Sequence, residues 1–295
     1  MINGYLKNTL KIICVLACTT ALTSCAQQQK EPKNIIPPGY DLSSPKKYNM
    51  PEALLEISGF AFHNGDTSNV YAQQDEEGKI FSLKLGVKKH TDTKFAKNGD
   101  YEDMAIAWDK VIVLKSNGNL YTFPFSELGK KHAENVTETK SILPKGEYEG
   151  IFADAKANKL YVLCKECKQD ANKKITSGFV LELQPDNQFK LVGEFKIDVS
   201  NLDKLSGRKK GTFHPSALAK NQTTNDWYIV SAINKVLIIT DSNWKVKGSY
   251  HLSSNIFGQP EGIAFDKYNN LYISNEGSDT QYGNILKFVY QKQRN

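Results

Sequence analysis

The sequence predicts an all-β protein, a five-bladed β-propeller with four-stranded antiparallel blades, and three observations carry that prediction. One short pattern recurs five times along the chain. No window of twelve or more residues keeps the 3.6-residue apolar period of a helix. The runs between turns are β-branched and aromatic, about five residues long, and the turns are rich in Gly and Asn, as tight hairpins require. The recurring segments begin at Ser58, Glu102, Glu149, Ser216 and Glu261, at intervals of 44, 47, 67 and 45 residues. Repeats of roughly 40–50 residues are the length of a propeller blade. A β-sandwich would not produce five copies of one pattern, whereas radial repetition does, because each blade buries its faces only against its neighbours.

Within each copy the order is the same. A first segment of small and apolar residues (Ser58–Phe62, Glu102–Ile106, Glu149–Ala153, Ser216–Lys220, Glu261–Phe265) is followed by a second run, such as Val111–Leu114 or Leu271–Ser274. A third run follows a turn, such as Leu120–Phe123 after Asn117-Gly118-Asn119. A fourth is visible at 87–95, 138–143, 190–199 and 244–251. The fifth copy runs out of chain before its fourth strand, and Lys46–Met50 is expected to supply it, closing the ring and removing an open edge. The long third interval contains two expected surface insertions, Lys168–Thr176 and Leu202–Gly211. Six blades is the alternative count.

The 295 residues carry 40% hydrophobic side chains, 24% charged ones and a net charge of +6, a globular composition with its Lys spread out. Global disorder and a disulfide-dense scaffold are excluded, and no nucleic-acid partner is expected. Ahead of the repeats, Lys7 and Lys11 precede a short apolar run, Ile12–Cys18, too short to span a bilayer. With Leu22-Thr23-Ser24-Cys25 it reads as a lipoprotein signal peptide over residues 1–24, cleaved before a lipidated, palmitate-bearing Cys25. Residues 25–39, with Gln27–Gln29, Pro32, Pro37 and Pro38, read as a flexible tether, and 40–295 as the propeller. The expected address is the cell envelope, facing the periplasm or outside. The outer membrane is favoured because no Asp follows Cys25.

Glu56–Ala61, Asp100–Ala105, Glu147–Ile151, Pro260–Asp266 and Leu271–Glu276 together resemble the SdiA-regulated family of exported β-propellers, in order, over roughly residues 40–290. The resemblance implies a five-bladed, often membrane-anchored propeller. The Pro-Glu-Gly-Ile-Ala element also occurs in lactonase-like and phytase-like propellers.

Innermost propeller strands line a central channel, so Ser58, Glu102, Glu149, Ser216 and Glu261 are expected at one level around one axis. Three carboxylates at such close quarters need protons, water or a cation. An all-oxygen donor set suits Ca²⁺ or Mg²⁺ better than Zn²⁺. These five residues are therefore the candidate metal ligands, with Ca²⁺ the candidate cofactor. Glu56, Asp103, Glu147, Asp75 and Glu276 flank the column, and Lys115, Lys165 and Lys235 are expected on its face. A binding or scaffold module with a channel cation, recognising a protein or a small molecule, is the favoured function. The alternative is a metal-assisted phosphoesterase or esterase. Cys164 and Cys167 form a lone C-x₂-C with no second pair for zinc, and in an exported chain are expected to form a local disulfide. His214 is read as a hydrogen-bonding residue at the channel mouth. Trp108, Trp227 and Trp244 are read as core between blades.

Overall fold

The computed structural model describes residues 36–171, 174–202 and 212–292. The signal segment, Cys25 and nearly all of the tether lie outside the described residues, as does most of the second expected insertion, at 203–211. The described strands form five four-stranded sheets, and every pairing is antiparallel between neighbours in the sheet. The strand β1 (Lys46–Asn49) comes first in the chain. Blade 1 is then β2 (Ile57–Ala61), β3 (Val70–Gln74), β4 (Lys79–Leu83) and β5 (His90–Lys94). Blade 2 is β6 (Tyr101–Ala107), β7 (Lys110–Lys115), β8 (Leu120–Pro124) and β9 (Thr137–Thr139). Blade 3 is β10 (Gly146–Asp154), β11 (Lys159–Cys167), β12 (Ile175–Leu183) and β13 (Phe189–Asp198). Blade 4 is β14 (Ala217–Lys220), β15 (Trp227–Ser231), β16 (Val236–Thr240) and β17 (Val246–His251).

Blade 5 is completed from both ends of the chain. β18 (Pro260–Phe265), β19 (Leu271–Asn275) and β20 (Asn284–Phe288) accept β1 as their outer strand, with Lys46 opposite Lys287 and Asn49 opposite Asn284. The blade count is five, not six.

The strands read as continuous apolar runs because both faces of every blade are covered. Along β7, Val111 and Val113 face blade 1, while Ile112 and Leu114 face blade 3. Along β15, Trp227 and Ile229 face blade 3 and Tyr228 and Val230 face blade 5. The buried apolar residues accordingly fall into clusters between successive blades, including one between blades 5 and 1 built on Ile57, Phe60, Tyr272 and Ile285. Trp244 stacks on Phe195 at 3.6 Å and on Trp227 at 4.3 Å, binding blade 3 to blade 4. Trp108 occupies the β6–β7 hairpin turn with positive φ and packs, partly buried, toward Phe189.

One detail differs from the expectation. The expected loop Lys168–Thr176 is shorter, because the long outer strand β13 offers partners early: Ile175 pairs with Asp198 and Thr176 with Ile197. Asp170, just after Cys167, accepts both the N–H (2.8 Å) and the hydroxyl (2.7 Å) of Ser177, pinning the turn. At the start of the domain, packing begins before β1. Tyr40 is 1% exposed, donates its hydroxyl to Asn269 O at 2.7 Å and receives Asn221 Nδ2 at 3.2 Å, wedged at the junction of blades 4 and 5.

Candidate ligand site at the channel mouth

Each column residue lies at a break in the strand ladder. In β6 the register passes from Tyr101–Lys115 to Asp103–Leu114, leaving Glu102 unopposed. In β10 it passes from Tyr148–Cys164 to Gly150–Leu163, leaving Glu149 unopposed, and in β18 from Pro260–Asn275 to Gly262–Ser274, leaving Glu261. β2 skips Ser58 and Gly59 in the same place. In blade 4 the N–H of Ser216 reaches Val230 O at 2.8 Å although Ala217 is the residue paired with Val230. A β-bulge re-aims the extra residue away from the ladder. Repeating it at one level brings the carboxylates of Glu102, Glu149 and Glu261 within reach of one another, with the Ser216 hydroxyl bonded to Glu261.

The residue after the bulge must be small where blades approach most closely. A Cβ on Gly59 would lie 2.4 Å from Asp103 Oδ1 and 2.7 Å from its Cα. Asp103 fills the corresponding place in blade 2. Its Oδ1 accepts Met104 N at 2.8 Å, and its Oδ2 accepts Ile151 N of blade 3 at 2.8 Å. Burial pushes its carboxyl well above the usual carboxylate range, against the pull of those two N–H groups.

The acidic residues interact across the channel. Burial, then the charges of Glu149 and Asp100, push Glu102 up to about 9. Burial, then Glu149, push Glu261 up to about 7, while the Ser216 hydroxyl and Lys165 pull it down. Burial, followed by Glu261, Asp75 and Glu56, pushes Glu276 up to about 8. Burial also raises Glu149, although Lys165 opposes the shift by donating to Glu149 Oε1. Burial would lower Lys165, but the bond to Glu149 and the charges of Glu102 and Glu261 outweigh it and the ammonium is held. A single lysine thus faces three carboxylates from three blades. Asp75 and Glu56 are raised too, in each case first by burial.

Among the described residues, no three His, Cys, Asp or Glu side chains are arranged to hold a metal ion as they stand. The donor chemistry of the mouth, carboxylate and hydroxyl oxygen, is that of a hard cation. The ammonium of Lys165 lies among the same carboxylates, so a cation entering there competes with it.

The other expected residues divide. Lys115 lies over the Tyr101 ring at 5.8 Å, Lys235 donates to Gly258 O, and Lys165 is bonded within the column to Glu149. His214 Nδ1 is 3.2 Å from Glu166 Oε1. Cys164 and Cys167 are joined by a disulfide that brackets Lys165 and Glu166 at the end of β11. Two further residues join the site, Asp100 and Gln259. Asp100 accepts the hydroxyl of Ser116, and Gln259 donates to Glu276. Each stands two residues before a column Glu, as Glu56, Glu147 and His214 stand before Ser58, Glu149 and Ser216. The i−2 spacing that places alternate strand residues on one side is the signal that could have found them.

A closed ring of five blades with an acidic mouth formed by bulges in the innermost strands defines a channel-type β-propeller. The SdiA-regulated family model matches residues 34–279, and the chain belongs to that family. No relative was found among curated proteins. Among solved structures, a luciferin-regenerating enzyme is similar with a TM-score of 0.53 at 11% identity, covering 83% of this chain and 95% of that one. A streptogramin B lyase structure gives 0.46 at 10% identity, covering 84% and 98%. At such identities the first likeness speaks for the propeller fold alone.

Proposed function

We propose that the chain is a binding propeller, held at the cell envelope by a lipid on Cys25, whose channel mouth takes a cation, with Ca²⁺ the first candidate. The observation that carries this reading is the meeting of Glu102, Glu149 and Glu261 from three blades, buried enough to raise all three, around one ammonium. Carboxylates that resist ionisation at neutral pH gain most from a cation that replaces their protons. Calorimetric titration of a soluble form starting at residue 31 with CaCl₂, with a melting curve at each end, tests it. Saturable binding with a raised Tm supports the cation site, and no heat and no shift refutes it. Labelling of the full chain with a palmitate analogue, abolished by Cys25→Ala, tests the anchor. The ligand or partner recognised beyond the cation is a small molecule or a protein.

A metal-assisted phosphoesterase or esterase is the second reading, and Glu261 favours it: a carboxyl raised to about 7 can give and take protons near neutrality. The two readings separate on Glu149→Gln. Loss of turnover of phosphate esters or simple esters, with the fold intact, supports catalysis. A lowered Tm with no turnover to lose supports a binding module.

A further inference from the structure

The channel has a second chamber. Beyond Asp103, away from the acidic mouth, a cavity of about 300 Å³ is walled by one apolar residue from each blade: Phe60, Met104, Ile151, Leu218 and Ile263. We propose that this chamber binds an uncharged, largely hydrocarbon small molecule with a body of about twelve carbons. Size sets the body: a cavity of about 150 Å³ accommodates benzene, so this one takes roughly twice as much. It also lies at the lower edge of ordinary ligand-pocket volumes.

The charged groups around the chamber are already engaged, which argues against an ionic ligand. Asp103 spends both oxygens on backbone N–H groups. At the rim, Lys220 pairs with Asp154 at 3.4 Å and Lys267 with Asp66 at 3.6 Å. Asp266 accepts two backbone N–H groups, the Asn270 amide and the Tyr272 hydroxyl. The other polar side chains of the lining, Asn64, Gln222 and Thr223, are exposed at the outer rim, and Asn269 Nδ2 is buried out of reach of the chamber. The chamber is independent of the cation reading, because of the mouth carboxylates it shares only Asp103, whose two oxygens are spent on backbone N–H groups.

The test is fluorescence titration of the full chain with prodan, a neutral naphthyl ketone whose emission moves to the blue in apolar surroundings. One saturable site of roughly micromolar Kd is expected. Ala264→Phe, which fills the chamber, should weaken binding at least about tenfold while leaving cooperative melting intact. If Ala264→Phe does not fold, Ala153→Phe fills the opposite wall. If neither folds, the native chain decides, because an anionic naphthalene sulfonate must bind at least about tenfold more weakly than prodan. Absence of saturable binding, undiminished affinity in a folded filling variant, or equal binding of the anion would each overturn the proposal.

Discussion

Asp103 Oδ2 accepts the backbone N–H of Ile151 at 2.8 Å, across 48 residues of sequence and from one blade to the next. Its other oxygen is occupied by Met104 N, and Gly59 of the preceding blade leaves no room beside it. One carboxylate therefore joins three blades at the level where the acidic mouth gives way to the apolar chamber. Asp103→Asn would set an amide N–H₂ against one of two backbone donors. It is expected to cost roughly 1–3 kcal/mol in urea unfolding. Gly59→Ala should destabilise as well, because the clash is partly with backbone and cannot be relieved by a rotamer change.

The acidic mouth makes stability fall with rising pH. Glu102, Glu261 and Glu276 start from 4.5 and are raised to about 9, 7 and 8 in the folded chain. Between those limits the native state holds more protons than the unfolded one, so unfolding becomes easier as the protons leave. Melting curves without divalent cations should show Tm highest near the acidic end of that window and declining through pH 7 to 9. Saturating Ca²⁺ should flatten the decline, and Ca²⁺ affinity should rise with pH because the cation displaces protons. A Tm independent of pH from 5 to 9 would contradict this account of the carboxylates.

Lys165 is the internal competitor for a cation. Lys165→Met removes the ammonium that neutralises Glu149 and should tighten Ca²⁺ binding at least about tenfold while lowering Tm in its absence. Glu149→Gln should do the reverse for affinity, losing a ligand oxygen and leaving the ammonium without its bonded carboxylate. Calorimetry on the two variants checks both signs, and a Lys165→Met chain that binds Ca²⁺ more weakly would remove the cation from this site.

The disulfide between Cys164 and Cys167 encloses a very short loop. Its effect on chain entropy is correspondingly small, about 2 kcal/mol. Its local effect is larger, because Lys165 lies inside the loop. Replacing both cysteines by Ser should lower Tm by several degrees and weaken the pH dependence above by loosening the lysine. Comparing Tm–pH profiles of the native chain and the Cys164→Ser, Cys167→Ser variant checks this.

The blades are visible in the sequence because their strands are covered on both faces. This makes each run apolar throughout and each turn stand out, as at Val111–Leu114 or Trp227–Val230. The column is visible because a bulge residue followed by a small one recurs at Ser58-Gly59, Glu149-Gly150 and Glu261-Gly262. Lys165 is visible only as one of three lysines expected on the face of the column. What selects it over Lys115 and Lys235 is not, because its partners Glu102, Glu149 and Glu261 belong to three different blades. Asp100 and Gln259 are marked by their i−2 place before Glu102 and Glu261, but their partners Ser116 and Glu276, 16 and 17 residues away, are not. Tyr40 is read as the first residue of the domain, but its burial is not legible, because it comes from Asn221 and Asn269, near the other end of the chain.

The pairing of β1 with β20 also sets a schedule. The first strand to emerge during synthesis waits for nearly the last, so four blades can assemble while the fifth still lacks its outer edge. Over that interval Lys46–Asn49 is a loose ribbon and β20 does not yet exist. Closing so long a loop is slow relative to hairpin formation. A chain cut short before Asn284 would therefore be left with an open seam and an unmatched strand at its start, a molecule primed to pair with its own kind rather than with itself.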